Sequence, residues 1–149
     1  MTRTIGLDVE SRPECIELLS GALCGVCQRQ LALPAADISA IHLAMVEAVN
    51  NVVEHAYNGE SGHLVRVELE LAPNRCNLRV RDHGQPMAPG RLAAVTTFAE
   101  PDPEDPDTWS TRGRGLAIIK SCMDTVEYEA RDGVNTLFMS RTLATGESA

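Results

Sequence analysis

The sequence predicts an α/β (α+β) fold, a two-layer sandwich in which about three helices cover one face of a mixed, mostly antiparallel sheet. About five segments alternate apolar and polar residues with the period of a strand, and no β-α-β unit repeats. Only 3% of the residues are aromatic, so the core must be built from aliphatic side chains, which suits helices packed on a sheet. At 149 residues the chain has the size of one domain, and we expect residues 1–149 to form a single domain.

The first third of the chain predicts one strand and two helices. Alternation at Ile5, Leu7 and Val9 indicates a strand. Ser11 is a possible N-cap before an early proline, which together predict a helix through roughly residue 31. Asp37 can cap a second helix, which we expect to end near residues 57–59. Its apolar stripe recurs at steps of three and four residues: Ile38, Ile41, Met45, Ala48, Val49, Val52 and Ala56.

The remaining elements predict two hairpins and a short helix. Residues 64–71 and 76–81 alternate across a turn that contains Pro73 and Asn74, and residues 125–130 and 134–142 alternate across Asp132-Gly133. A short apolar helix is expected to begin at Gly115.

The stretch from residue 96 to residue 111 holds three prolines among acidic residues, which disfavours regular structure. We expect a surface loop here, at about residues 97–112, that would act as a lid over a ligand. A linker between domains is the alternative, but the residues that follow are too few for a second domain.

Composition limits the kinds of partner. The net charge is −8 and Lys120 is the one lysine, so direct nucleic-acid binding is disfavoured and a basic partner surface is favoured. With no apolar run near eighteen residues, we expect a cytoplasmic protein that does not enter a membrane. Cys24 and Cys27 form a C-x-x-C, which we interpret as thiols buried in a helix; metal or redox chemistry is the alternative.

Glu47 and Asn51 form the first of three polar patches. They are four residues apart on the second helix, so both lie on one edge of it, beside the apolar stripe. An amide oxygen suits Mg²⁺, and a carboxylate one turn away could accept a proton near a terminal phosphate. A solvated helix edge without function is the alternative.

Asp82 and Gly84 form the second patch, where a strand ends. The glycine lets the backbone turn and leaves the carboxylate at the rim of the sheet, where it could accept a hydrogen bond from an adenine amino group. The alternative is an aspartate that only caps its own turn.

Two glycines and two arginines form the third patch, immediately before the short helix. At Gly113 and Gly115 bare backbone N–H groups and the positive end of a helix can approach phosphates, and Arg112 and Arg114 add charge. Close packing or a loop hinge is the alternative.

The order and spacing of the three patches resemble the N box and the two glycine boxes of the ATPase superfamily shared by gyrase, MutL and histidine kinases. The resemblance covers nearly the whole chain and implies a Bergerat-type ATP-binding fold that uses ATP and Mg²⁺. It implies that Glu47 is the catalytic base, that Asn51 is the metal ligand and that Asp82 anchors adenine. The nucleotide-binding residues predicted in this way are Asn51, His55, Asp82, Gly84, Pro86, Arg112, Gly113, Arg114, Gly115 and Leu116.

Two assignments within this pattern stay open. Asn50 and Asn51 adjoin, and we choose Asn51 because Asn50 lies about 100° further round the helix. His55 is either a partner of the site or a histidine satisfied at the helix edge.

Within the superfamily, the short length and the T-R-G-R-G-L-A-I-I run most closely resemble bacterial anti-sigma-factor serine-protein kinases of the partner-switching type. The resemblance implies phosphorylation of a small anti-anti-sigma (STAS-domain) protein, sequestration of a sigma factor, and a homodimer. The main alternative is a non-catalytic nucleotide-binding module that switches another protein. A histidine-kinase catalytic domain or an ATP-hydrolysing clamp ranks lower, because each requires further domains.

Overall fold

Five strands form a single sheet in the computed structural model, which describes residues 2–30, 33–95 and 114–143. The strands are β1 (Arg3–Glu10), β2 (Leu64–Ala72), β3 (Arg75–Asp82), β4 (Thr125–Arg131) and β5 (Val134–Thr142). Their order is β1-β2-β3-β5-β4, and every neighbouring pair is antiparallel. The predicted α+β sandwich is confirmed, with a sheet that is antiparallel throughout the described residues.

The helices are α1 (Pro13–Gln30), α2 (Ala35–Asn51), the short α3 (Arg91–Ala94) and α4 (Gly115–Cys122). The sequence predicted α1, α2 and α4 but not α3. A π-helical turn, Val52–Ala56, continues α2 without a break. The lid predicted for about residues 97–112 lies outside the described residues.

Both helix caps proposed from the sequence are wrong. The Ser11 hydroxyl donates to the Glu60 carbonyl at 2.8 Å and accepts from the His63 N–H at 3.1 Å, so it ties the start of α1 to the approach to β2. Asp37 lies inside α2, which begins after Pro34, and its Oδ1 accepts from Arg141 Nε at 2.9 Å. In both cases a partner distant in sequence takes the side chain that local propensity assigns to a cap.

The core lies between the helices and one face of the sheet. The inward positions of β2 and β3 are almost fully buried, because a period of two places every second side chain on the same face. α1, α2 and α4 supply the facing layer. Side chains of the core with less than 2% exposure include Leu19, Met45, Val49, Val65, Val67, Leu69, Leu78, Val80, Ile119 and Met139.

The opposite face of the sheet carries charged side chains. Arg66 pairs with Asp8 at 3.0 Å and with Glu68 at 3.1 Å, and Arg81 also bonds Glu68. The Arg79 guanidinium lies 5.0 Å from the centre of the Phe138 ring. Among the helices of the described residues, none combines the length and apolar character needed to cross a membrane.

Candidate functional site

A cavity of about 540 Å³ lies where the end of α2, the segment that follows β3 and the start of α4 meet. Its size is that of a small-molecule site, and its walls are mostly apolar with a few polar groups. The lining residues shared with the predicted nucleotide site are Asn51, His55, Asp82, Pro86 and Leu116.

Asp82 is the buried carboxylate among the residues that line this cavity. It is only 5% exposed. Its Oδ1 accepts from the Gly84 N–H at 2.9 Å and from Asn135 Nδ2 at 2.7 Å. No described residue donates to Oδ2. The carboxylate is therefore held in place through one oxygen, and the other can accept a hydrogen bond from a ligand.

Gly84 is required by close packing. A Cβ on Gly84 would overlap the carbonyl group of Ala56 and would lie 2.9 Å from the Ala56 Cβ. The next residue, Gln85, donates its N–H to the same Ala56 carbonyl at 2.8 Å. The π-helical turn thus docks directly on the segment after β3. Gly84 is not among the residues that line the cavity, so its contribution to the site is the approach of these two backbones.

Side chains from several elements fix the segment after β3. Asn135 Nδ2 donates to the Gly84 carbonyl at 2.9 Å, and the Tyr57 hydroxyl accepts from the His83 N–H at 2.9 Å. The Met87 N–H donates to the Tyr128 hydroxyl at 2.8 Å. Because this segment has no regular structure, these hydrogen bonds replace the ladder that a strand would have supplied.

Glu47 and Asn51 converge on the first residue of α4. A Cβ built on Gly115 would lie 3.1 Å from Glu47 Oε2 and 3.2 Å from Asn51 Oδ1, so the bare glycine allows both side chains to approach the helix start. Asn51 lines the cavity, whereas Glu47 and Gly115 are not among its lining residues. The fold brings these three sequence-predicted residues together.

The donor set at this position fits a hard divalent cation. Asn51 Oδ1 and Glu47 Oε2, both beside Gly115, are hard oxygen ligands of the kind that such a cation prefers. Asn51 Nδ2 is buried without a hydrogen-bond partner among the described residues, so it can donate to an acceptor on a ligand. Burial raises the pKa of the Glu47 carboxyl above its usual value, and the negative charge of Glu54 raises it further. An amide and a carboxylate beside the start of a helix suit an Mg²⁺-bound phosphate.

The other predicted residues fall in three groups. His55, Pro86 and Leu116 line the cavity, with His55 Nε2 4.0 Å from the Glu54 carboxylate. Arg114 immediately precedes α4. Arg112 and Gly113 lie outside the described residues.

Asn135, Tyr128 and Arg91 were missed by the sequence reasoning. Asn135 is 4% exposed and holds Asp82, while Tyr128 and Arg91 line the cavity. Asn135 could have been found, because it is a polar residue at an inward position of a strand that otherwise points Leu137 and Met139 inward. The short α3 that carries Arg91 left no comparable signal.

Burial disfavours reactivity at Cys24, Cys27 and Cys76. Cys27 and Cys76 are buried, and burial raises the pKa of the Cys76 thiol to about 12. Burial also raises the pKa of Cys24 and of Cys27. A thiol held protonated in this way is a poor nucleophile and a poor metal ligand at neutral pH.

The antiparallel sheet lies under a helical layer, and one cavity lies between the end of α2, the segment after β3 and the start of α4. This is the architecture that the sequence resemblance implies for a histidine kinase-like ATP-binding domain. The chain belongs to the histidine kinase-like ATPase domain family, whose model matches residues 9–141. This finding confirms the superfamily that the three patches resembled.

Several relatives of the chain are named serine-protein kinase RsbW. The protein of Listeria innocua is 28% identical over 137 residues, which are 89% of this chain and 83% of the relative. The protein of Bacillus velezensis is 28% identical over 139 residues, which are 93% of this chain and 85% of the relative.

A solved structure of the RsbU and RsbW domains of a Mycobacterium tuberculosis protein has the same fold, with a TM-score of 0.66 at 19% identity. The match covers 95% of this chain and 32% of that one, so this chain corresponds to about a third of the larger protein.

Proposed function

We propose that this chain is an ATP-dependent serine-protein kinase and anti-sigma factor. It transfers the γ-phosphoryl group of ATP to a serine of a small anti-anti-sigma (STAS-domain) partner, and otherwise sequesters a sigma factor. The convergence of Glu47 and Asn51 on Gly115, beside a cavity that Asp82 lines, carries the proposal. The similarity to proteins named serine-protein kinase RsbW supports it.

Each residue has one role in the proposed reaction. Asp82 accepts the adenine amino hydrogen, and the first N–H groups of α4 face the phosphates. Asn51 would hold Mg²⁺, which neutralises phosphate charge when bound. The serine Oγ bonds to the γ-phosphorus while the bond to the ADP oxygen breaks, and Glu47 takes the serine proton. A raised pKa suits Glu47 to this step, because a base accepts a proton best when its pKa approaches the working pH.

The partners are proposed from the charge of the chain and from its resemblance to partner-switching kinases. The net charge of −8 favours a basic surface on a sigma factor. We further propose that the protein acts as a homodimer in the cytoplasm, with no direct nucleic-acid contact and no membrane association.

A second candidate is a nucleotide-binding module that regulates a partner without phosphorylating it. One observation favours it: Glu47 is not among the residues that line the cavity. The two candidates make the same prediction for ATP binding and opposite predictions for transfer.

Phosphotransfer distinguishes them. The purified chain is incubated with Mg·ATP labelled at the γ-phosphate and with each STAS-domain protein of its source genome, and phosphoserine is located by mass spectrometry. We expect one partner to gain one phosphate and to leave the complex. Glu47→Gln should still bind ATP but lose transfer, whereas Glu127→Gln, on the exposed face of β4, should retain it.

Absence of phosphoserine on every STAS partner, with ATP bound normally, would leave the binding module as the function. Normal turnover by Glu47→Gln would remove Glu47 from the mechanism.

A further inference from the structure

Lys120, the one lysine of the chain, donates its hydrogen bonds to backbone carbonyls. It lies on α4, and its Nζ donates to the Leu92 carbonyl at 2.5 Å and to the Val95 carbonyl at 2.6 Å. No carboxylate of the described residues lies within ion-pair distance of Nζ. The ammonium group is therefore committed to two backbone oxygens.

Those two oxygens lie at the C-terminal end of α3, Leu92 within the helix and Val95 at its C-cap. The Leu92 carbonyl also accepts from the Val95 N–H at 3.3 Å, and a basic side chain near a helix C-terminus commonly bonds the last carbonyls. Lys120 supplies both the donors and the charge. The hydrogen bonds to an ionised donor are the stronger kind, so they hold α3 firmly against α4.

The segment held in this way is one side of the cavity. We call residues 87–95 the outer wall, and four of them line the cavity: Met87, Ala88, Pro89 and Arg91. Residues 88–90 are exposed and α3 has no fully buried residue, so apolar packing of the wall is limited to Met87, Leu92 and Val95, which lie partly buried against the core. The described hydrogen bonds that tie the wall to other elements are the bond from the Met87 N–H to Tyr128 at one end and the Lys120 bonds at the other.

α4 connects the outer wall to the Glu47–Asn51 pair. Both of those side chains lie beside the Cβ position of its first residue, Gly115, and the next residue, Leu116, lines the cavity. Lys120 is one turn further along the same helix. The wall is thus fixed to the element on which the proposed phosphate contacts lie.

We propose that Lys120 is a positioning residue, which holds the outer wall against α4 and thereby sets the affinity of the cavity for nucleotide. The reason is preorganisation: a wall that is already in place does not have to be ordered when the ligand binds. The inference rests on the proposed function only in that the ligand is a nucleotide.

Two measurements on the same variants test it. Lys120→Met keeps the length of the side chain and removes the donors, Lys120→Arg keeps a cationic donor, and Ser121→Ala on the same helix is the control. Amide hydrogen exchange of residues 88–95 is measured without nucleotide, and Mg·ATP affinity is measured by calorimetry. In Lys120→Met we expect faster exchange confined to the wall and about tenfold weaker binding, equivalent to about 1.4 kcal/mol.

Lys120→Arg should restore both properties, and Ser121→Ala should change neither. Unchanged exchange of residues 88–95 in Lys120→Met would overturn the inference, as would faster exchange with unchanged ATP affinity. Exchange that rises equally in β2 and β3 would also overturn it, because the lysine would then support the whole fold. If the wild-type chain binds no ATP while Lys120→Met loosens the wall, the proposed function fails and the positioning of the wall stands.

Discussion

The two carboxylates of the site differ in their surroundings. Asp82 accepts from the Gly84 N–H and from Asn135, so its orientation is fixed by the fold. Glu47 accepts no hydrogen bond from a described residue, and burial raises its pKa. An oriented acceptor suits recognition of a base, whereas a poorly solvated carboxylate suits proton transfer.

The ionised Glu47 carboxylate should therefore lower the free energy of unfolding at neutral pH. Its pKa is higher in the folded than in the unfolded chain, first because of burial and then because of Glu54. Such a group destabilises the folded state above its folded pKa, and this cost disappears as the pH falls toward the unfolded value of about 4.3. We expect Glu47→Gln to raise the free energy of unfolding at neutral pH, by an amount that shrinks on acidification.

Urea unfolding at several pH values measures this effect, with Glu127→Gln as the exposed control. A gain in Glu47→Gln that is the same at every pH, or a loss at neutral pH, would contradict the pKa shift.

Sequence reasoning located residues whose roles depend on local spacing. Glu47 and Asn51 share a helix edge because they are four residues apart, and Gly115 begins a helix in a recognisable glycine-rich run. Lys120, Tyr128 and Asn135 act through contacts with residues 28, 41 and 53 positions away in sequence. Spacing along the chain carries no information about such pairs.

At the scale of elements, the joint between the π-helical turn and the segment after β3 decides the shape of the cavity. Val52, His55 and Ala56 of the turn line the cavity, and the Ala56 carbonyl receives the Gln85 N–H. Ala56 is the last residue of the turn, so its carbonyl has no partner within the helix and can accept from an outside donor.

We expect Gly84→Ala to destabilise the protein by about 1–3 kcal/mol, as overpacked sites do. The added methyl would overlap the Ala56 carbonyl, so the π-helical turn and the segment after β3 would have to separate. Gly21→Ala is the matched control: on the exposed side of α1 the new methyl would meet no atom within 4 Å beyond its chain neighbours and its own helix backbone. This control should gain up to about 1 kcal/mol, because alanine favours a helix interior over glycine. Chemical unfolding measures both, and a Gly84→Ala protein as stable as wild type would disprove the close packing.

Strands and helices whose apolar residues recur at regular spacing were predicted well, but the residues at their ends were not. Each strand and each long helix follows its apolar pattern, since burial on one face imposes the period. The caps at Ser11 and Asp37 were wrong because Glu60 and Arg141 compete for those side chains. α3 was missed because four residues are too few to show a helical period.

At the scale of the whole molecule, the sheet separates two environments. One face packs on the helices, and the other carries ion pairs such as Arg66 with Asp8 and Glu68. The cavity lies at the end of β3 where helices, sheet and irregular segments meet, which is a common place for a ligand site. A nucleotide bound there would touch α2, the outer wall and α4 at once.

The most direct test of the account is calorimetric titration of the chain with ATP, with and without Mg²⁺. Asn51→Ala is the test variant, and Asn50→Ala, on the adjacent position of the same helix, is the control. We predict tight, Mg²⁺-dependent binding by wild type and Asn50→Ala, and at least about tenfold weaker binding without Mg²⁺ dependence by Asn51→Ala, a loss of about 1.4 kcal/mol or more. Unchanged Mg²⁺-dependent affinity in Asn51→Ala, or no ATP binding by the wild-type chain, would contradict the assignment of this cavity as the Mg·ATP site.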